Sequence, residues 1–396
     1  MPYIWLLLLF ICSFINTPSC TYSQNKDPQS LIDELAKAGH RDIIFIQNAD
    51  TLKIYYWPLG FRDDYKGFID IKKRIIKFVQ WSQDLNINHI ELIQTSWGIP
   101  IVSAKIQKKV SLNTIHYTKK YNKLIKSDYS SPEKTSKRLM LLFDIPLTVS
   151  FGQPYDPLIF KTGIRPEIRL RLYNGIMAYG QVDFYFHNEY DPQQFYKPGN
   201  MGLMIAKTFK DNIISVTNIG AFHTDIYGFD EEIQISLFDD MFSVSVHGGF
   251  YGDLFFEKNK FKYNNIGHHL MLLKGTYSIE KYDCEIEFKG GQFLYGDKGL
   301  GFGISRIFKE LEIGFNMIKT KEDIAGNMHF SIPIFPGSRR SLSNHGIGFV
   351  KHFNFRYCYY SNNLGMEPKI STSLRNIEGI TIPNHFKYMS KTFQEY

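Results

Sequence analysis

Cysteine is scarce in this chain, long apolar runs are scarcer, and charge of one sign never accumulates. Of 396 residues only four are Cys, at positions 12, 20, 284 and 358. That number excludes a disulfide framework, and no His/Cys group has the spacing of a zinc site. The single long apolar run, IWLLLLFICSFI from Ile4 to Ile15, is too short to cross a bilayer as a helix. A mean hydropathy of −0.24 leaves no room for a polytopic helical membrane protein. The 46 Lys and Arg are interspersed with 39 Asp and Glu, giving a net charge of +7 without a basic stripe. Such a surface does not point to nucleic acid, and it suits an anionic glycan or lipopolysaccharide equally well.

Aromatic residues are abundant instead, at 16% of the chain with 33 Phe and 25 Tyr. A β-rich fold accommodates that surplus best. The run from Ile4 to Ile15, followed by the polar TPSCTYSQNK, reads as a signal peptide spanning residues 1–23, although Met1-Pro2-Tyr3 carries no Lys or Arg. Cleavage after Ser23 leaves Thr21 and Ser23 at the specificity positions. The competing route makes Cys20 a lipidated N-terminus, without an aliphatic residue in Thr17-Pro18-Ser19 to favour it. Of the two remaining cysteines, Cys284 lies on an apolar strand face and reads as a small buried hydrophobe.

Residues 28–110 mix two periodicities. Leu31, Ile32, Leu35 and Ala38 fall at helical spacing before Gly39, and Phe68, Ile71, Ile75, Ile76 and Val79 do so over Asp64 to Ser82. RDIIFIQ and TLKIYYW read as a hairpin, and NHIELIQTSW and IPIVSAKIQ as two further strands. The expectation is a small α+β domain of order αββαββ, with Lys72, Lys73, Arg74 and Lys77 forming a solvated helix face. Residues 111–137 are polar and aperiodic and read as a linker.

From 138 to 396 strict alternation takes over. Ile168, Leu170 and Leu172 oppose Glu167, Arg169 and Arg171. Phe242, Val244 and Val246 oppose Ser243, Ser245 and His247, while Leu311, Ile313, Phe315 and Met317 oppose Glu310, Glu312 and Asn316. Met328, Phe330 and Ile332 oppose Asn327, His329 and Ser331 in the same way. Roughly a dozen such segments imply an antiparallel barrel too wide for an apolar interior, so the polar face belongs inside and the apolar face on lipid. Arg169, Arg171, Asp183, Glu285, Glu287 and Lys289 are then candidate lumen charges. The fold class expected is mainly β, a transmembrane antiparallel barrel of roughly 12 strands with a small N-terminal α+β periplasmic domain. A secreted β-sandwich alternates as well and is the competing architecture.

GGQFLYGDKGLGFGISRIF, from Gly290 to Phe308, has the glycine content of a phosphate loop but not its context. Such a loop opens into a helix N-terminus. Here Leu300, Phe302 and Ile304 alternate with Gly299, Gly301 and Gly303, which is a strand, and Tyr295-Gly296-Asp297-Lys298 reads as the hairpin turn before it. An emptied strand face suits the close approach of a plug or a tight bend. Arg306 interrupts the apolar face, either as an anchor at the membrane interface or, turned inward by a bulge, as a contact for anionic glycan.

In this stretch the chain resembles the YjbH/GfcD-like capsule and exopolysaccharide biosynthesis proteins. Gly291, Phe293, Leu294, Gly296, Asp297 and Gly299 match the family's Gly-aromatic-Leu, Gly-Asp turn and following Gly, and Arg306 with Phe308 its Arg-x-Phe. Ile313 to Phe315, Thr320, Gly326 and Ile332-Pro333 follow in the family's order. Phe61-Arg62 and Gly98-Ile99-Pro100 fit its periplasmic region, while the part from Ser338 matches poorly. The resemblance implies an outer-membrane barrel that serves secretion or surface assembly of a capsular or exopolysaccharide. It implies an anionic or neutral polysaccharide, outer-membrane lipid and periplasmic export proteins as partners, and neither catalytic residues nor a cofactor. A porin-like channel and a secreted glycan-processing hydrolase are the rival classes. For the hydrolase, Glu285 and Glu287 project in parallel from one strand, and no serine occupies a nucleophile elbow.

Overall fold

A computed structural model of the chain describes residues 28–359, except 49, 59–63, 82–86, 97–98, 108–114, 119–138, 152–157, 211–212, 223–224, 238–240, 258–259, 280–281, 309–310, 322–323, 335–345 and 351. The signal peptide, the choice between Ser23 and Cys20, Phe61-Arg62 and the C-terminal residues after 359 lie outside the described residues.

The N-terminal domain begins with α1 (Pro28–Ala38), which stops where Gly39 turns the backbone at φ 111°. Then come β1 (Arg41–Asn48), β2 (Thr51–Trp57), α2 (Asp64–Trp81), β3 (His89–Ser96), β4 (Ile99–Gln107) and β5 (Ile115–Thr118). They form one sheet in the order β1-β2-β3-β4-β5, with β2 and β3 parallel because α2 carries the chain back across the sheet. Leu31, Leu35, Phe68, Ile71 and Ile75 of the helices meet Ile54, Ile90, Leu92 and Ile106 of the sheet in one core. Segment 115–118 corrects the linker expected over 111–137. It pairs with β4, so the domain is αββαβββ. Four residues are too few for alternation to register in a sequence.

The second body is a single large sheet. Its strands are β6 (Leu139–Asp144), β7 (Leu147–Phe151), β8 (Leu158–Tyr173), β9 (Ile176–Asn188), β10 (Tyr196–Lys210), β11 (Ile213–Phe222), β12 (Ile226–Leu237) and β13 (Phe242–Glu257). A short β14 (Lys260–Tyr263) folds back on β13. After it come β15 (His268–Ile279), β16 (Cys284–Gln292), β17 (Lys298–Phe308), β18 (Leu311–Thr320), β19 (Ile324–Pro333), β20 (Ile347–Phe349) and β21 (His352–Tyr359). Sequential neighbours pair antiparallel from β8 to β19.

Two broken staves close the ring. β6 and β7 both pair with β8, while β21 pairs with β19 and β20 pairs with β6. Thirteen staves result among the described residues, and an odd number forces one parallel junction, which is the β20–β6 pair. The hydrogen bonds Leu141 N–H to Gly346 O (2.9 Å) and Val350 N–H to Phe143 O (3.0 Å) fix it.

The barrel is inside-out relative to a soluble one. Leu172, Phe186, Phe250, Met271, Leu273, Phe288, Leu300 and Phe315 are exposed on the outer face, whereas Glu167, Gln181, Asp183, Asn218, Asp230 and His247 are buried on the inner one. An outer wall this apolar is stable only against hydrocarbon, where backbone groups must find their partners within the sheet. From β8 to β19 the connections at one end are short, as at Asn174-Gly175, with the longer 334–346 leaving β19 at that end, and at the other end they include the β13–β14 hairpin and residues 189–195.

Candidate functional site: the lumen and its short-turn mouth

Every lumen charge expected from the sequence sits on the inner face, and most are already engaged. Arg169 donates to Glu167 two residues away (Nε–Oε1 2.5 Å). Asp183 accepts both arms of Arg165, at 2.5 and 3.2 Å, and the same guanidinium reaches Asp144 at 3.3 Å. Glu287 faces Lys289 at 3.6 Å. Glu285 shares their face, opposite Ser305. Arg165, Asp230, Glu232 and Lys274 belong to the same constellation, and sequence reasoning missed them. Asp230 holds His247 (2.6 Å) and the Tyr251 hydroxyl, while Glu232 accepts from Ser245 (3.0 Å) and faces Lys274 at 3.7 Å. The signal was available, because Arg165 has the parity of Glu167, Arg169 and Arg171 on one strand.

Arg171 does something else. Buried at the short-turn end of β8, it donates to Asn174 (2.6 Å) and to Asp42 of the N-terminal domain. Asp42 reaches it because β1 is irregular between Arg41 and Ile44 and Asp42 itself sits at φ 51°, in the left-handed region that Asp tolerates better than most residues. Trp57, the last residue of β2, inserts beside this pair. It packs with Met140, Leu142, Met177, Tyr179, Met204, Ala206, Ile214 and Val216, all on the inner face of β6 and β9 to β11. The domain thus seats a tryptophan in the short-turn mouth of the barrel. At the opposite mouth a second apolar cluster unites Phe293 and Leu294 with Phe222, Ile226, Tyr251, Leu270, Leu272 and Ile318.

The motif residues divide by what surrounds them. The turn spans residues 293–297, beginning two residues before and ending one before the four-residue turn expected at 295–298, with Phe293 N–H to Asp297 O at 2.7 Å and Gly296 at φ 94°. Gly291 and Gly299 face each other across β16 and β17, where a Cβ at 299 would strike the Lys319 carbonyl. Gly301 and Gly303 correct the expectation of a plug or bend. Lys289 lies over Gly301 and Asn316 over Gly303, so cross-strand side chains occupy the emptied face. Arg306 points outward near the β17–β18 connection, with its guanidinium carbon 4.7 Å from the Phe308 ring centroid. No bulge interrupts β17, which fits the interfacial anchor and overturns the inward, glycan-contacting alternative. Gly299→Ala is therefore expected to prevent barrel assembly while Gly303→Ala assembles, read by heat-modifiable mobility in gels.

Behind the joint lies a charge cluster. His40 is fully buried with Nε2 3.1 Å from Asp70 Oδ2, and Arg74 ties Asp70 (2.7 Å) to Glu34 on α1 (2.5 Å). Burial pushes His40 below its ordinary value of 6.5 against the pull of Asp70. Burial also works to raise Asp70, but the hydrogen bonds from His40 and Arg74 outweigh it and hold that carboxyl at about 2, down from 3.8. Both groups bind protons more readily unfolded, so both contributions are present at neutral pH and lost on acidification. His40's fades as pH falls below 6.5, and Asp70's as it falls from 3.8 through 2. The urea midpoint of the N-terminal domain in the full micellar protein, followed by proteolysis, should fall between pH 7 and 5. His40→Gln should remove that first decline and leave the one below pH 4.

Comparison with known proteins adds little. No protein-family model and no curated protein matches the chain. Among solved structures, a loop L8 deletion mutant of OmpT, an outer membrane protein of Vibrio cholerae, overlaps 50% of this chain and 88% of its own at 8% identity and a TM-score of 0.30. In-vitro folded OmpT from the same organism overlaps 56% of this chain and 96% of its own at 7% identity and a TM-score of 0.29. TM-scores of this size carry no argument about what the chain does.

Proposed function

We propose that the chain is a non-catalytic outer-membrane component for secretion or surface assembly of a capsular or exopolysaccharide, with its N-terminal domain in the periplasm. The observation that carries the reading is the inside-out barrel whose short-turn mouth receives Trp57 from an α+β domain of the same chain. Short turns face the periplasm in outer-membrane barrels, which supports the periplasmic reading of the domain. The polymer enters through the sequence resemblance centred on Gly291 to Phe308. Against a general porin stands the occupied mouth, since a diffusion channel gains nothing from a tryptophan seated in its lumen. Against a hydrolase stands the pairing of the lumen carboxylates with Arg165, Arg169 and Lys289.

Deletion of the gene should abolish surface polysaccharide while cytoplasmic precursors are still made. Cleavage or modification of that polymer by the purified protein alone would sink the non-catalytic reading.

A further inference from the structure

The inner wall is not uniform. On the β8 to β13 side Glu167, Asp183 and Asp230 are sealed, with side-chain exposures of 2%, 4% and 2%, although Arg165 (19%), Arg169 (13%) and Glu232 (13%) are not. On the β16 to β19 side the polar groups remain partly open, at 15% for Glu287, 11% for Lys289, 13% for His329 and 33% for Glu312. Gly301, Gly303 and Gly314 remove the Cβ atoms that would collide with Lys289, Asn316 and His329, so these three side chains lie flat along the wall. Asn316 Nδ2 donates to Asn327 Oδ1 (3.1 Å) and lies 3.4 Å from His329 Nδ1, while His329 Nε2 lies 3.3 Å from Glu312. The result is a continuous lane of donors and acceptors along the wall, reached from the lumen.

We infer that this lane is the contact surface for a neutral, hydroxyl-rich polymer strand. The inference rests on the polysaccharide reading above and adds where the chain meets the polymer and what charge that polymer carries. Amide and imidazole groups both donate and accept, which suits sugar hydroxyls that do the same. Charge argues against a polyanion. Among the described side chains, the inner face around the lane holds Glu232, Glu285, Glu287 and Glu312 beside Lys274 and Lys289. Among the described side chains, the arginines that would grip uronate or phosphate in two-pronged fashion, Arg165, Arg169 and Arg171, lie on β8 and are committed to Asp183, Glu167 and Asp42.

The test compares strains carrying the gene deletion, Gly303→Val, Asn316→Leu and the control Gly248→Val. Gly303→Val forces Asn316 off the wall, Asn316→Leu removes its amide while leaving the glycine, and a Cβ at Gly248 meets nothing closer than the Leu270 carbonyl at 3.5 Å. For variants whose heat-modifiable mobility shows normal insertion, each lane substitution should lower surface polymer by about fivefold, the effect of losing one hydrogen-bonding neutral group. Gly248→Val should match wild type. An unaffected deletion strain means that the polysaccharide reading itself is wrong. A deletion that abolishes surface polymer, beside inserted lane variants that export normally, overturns the lane alone. Uronate and phosphate assays of the dependent polymer should find neither in stoichiometric amount, and an acidic residue in every repeat would overturn the assignment of charge.

Discussion

Phe302→Arg should block insertion of the barrel, whereas Gly301→Arg, one residue away, should be tolerated. Phe302 lies mid-strand on the outer face, with its ring 5.3 Å from that of Phe288 across β16 and with Met317 opposite on β18. An arginine there faces hydrocarbon and costs about 2–4 kcal/mol near the bilayer midplane. At Gly301 the same side chain enters the lumen and displaces only the flexible stem of Lys289. Heat-modifiable mobility after reconstitution should be lost in the first variant and kept in the second. Equal tolerance would mean that the apolar face packs against protein.

The second large effect is expected at the joint between domain and barrel. Arg171→Ala leaves Asp42 buried without its guanidinium, a loss of about 3–5 kcal/mol for one partner of a sealed ion pair. Trp57→Ala empties the apolar seat at a similar cost of about 3–5 kcal/mol. Because these losses fall on the joint, the barrel should keep its heat-modifiable mobility while the N-terminal domain becomes sensitive to protease. The charge exchange Asp42→Arg with Arg171→Asp should recover part of the resistance that either single change removes. Resistance unchanged in both alanine variants would show that the two bodies are held elsewhere.

The alternation of Ile168 to Leu172, Phe242 to Val246 and Leu311 to Met317 was enough to read both the barrel and its inverted faces from sequence, because a period of two assigns every residue of a strand to a side. The same rule placed Glu285, Glu287 and Lys289 in the lumen. The joint was illegible for a physical reason. Asp42 and Arg171 are separated by 129 positions, and the backbone irregularity that aims Asp42 leaves no mark in RDIIFIQ beyond an ordinary strand. The glycines misled in a different way. Their emptied face was visible, but what fills it comes from β16 and β18, and only the register Lys289↔Gly301 and Gly303↔Asn316 shows which side chains lean across. Strand β5 escaped because it is short and polar.

The claim on which everything else stands is that the outer face of the barrel meets lipid. A nitroxide scan of single cysteine variants from Leu300 to Phe308, in a background lacking Cys284 and Cys358 and reconstituted in bilayers, tests it most directly. Collision with oxygen, which partitions into hydrocarbon, should peak at 300, 302, 304 and 306, and collision with a water-soluble nickel chelate at 301, 303 and 305. An alternation of the opposite phase, or oxygen accessibility that does not alternate along the strand, would contradict the account.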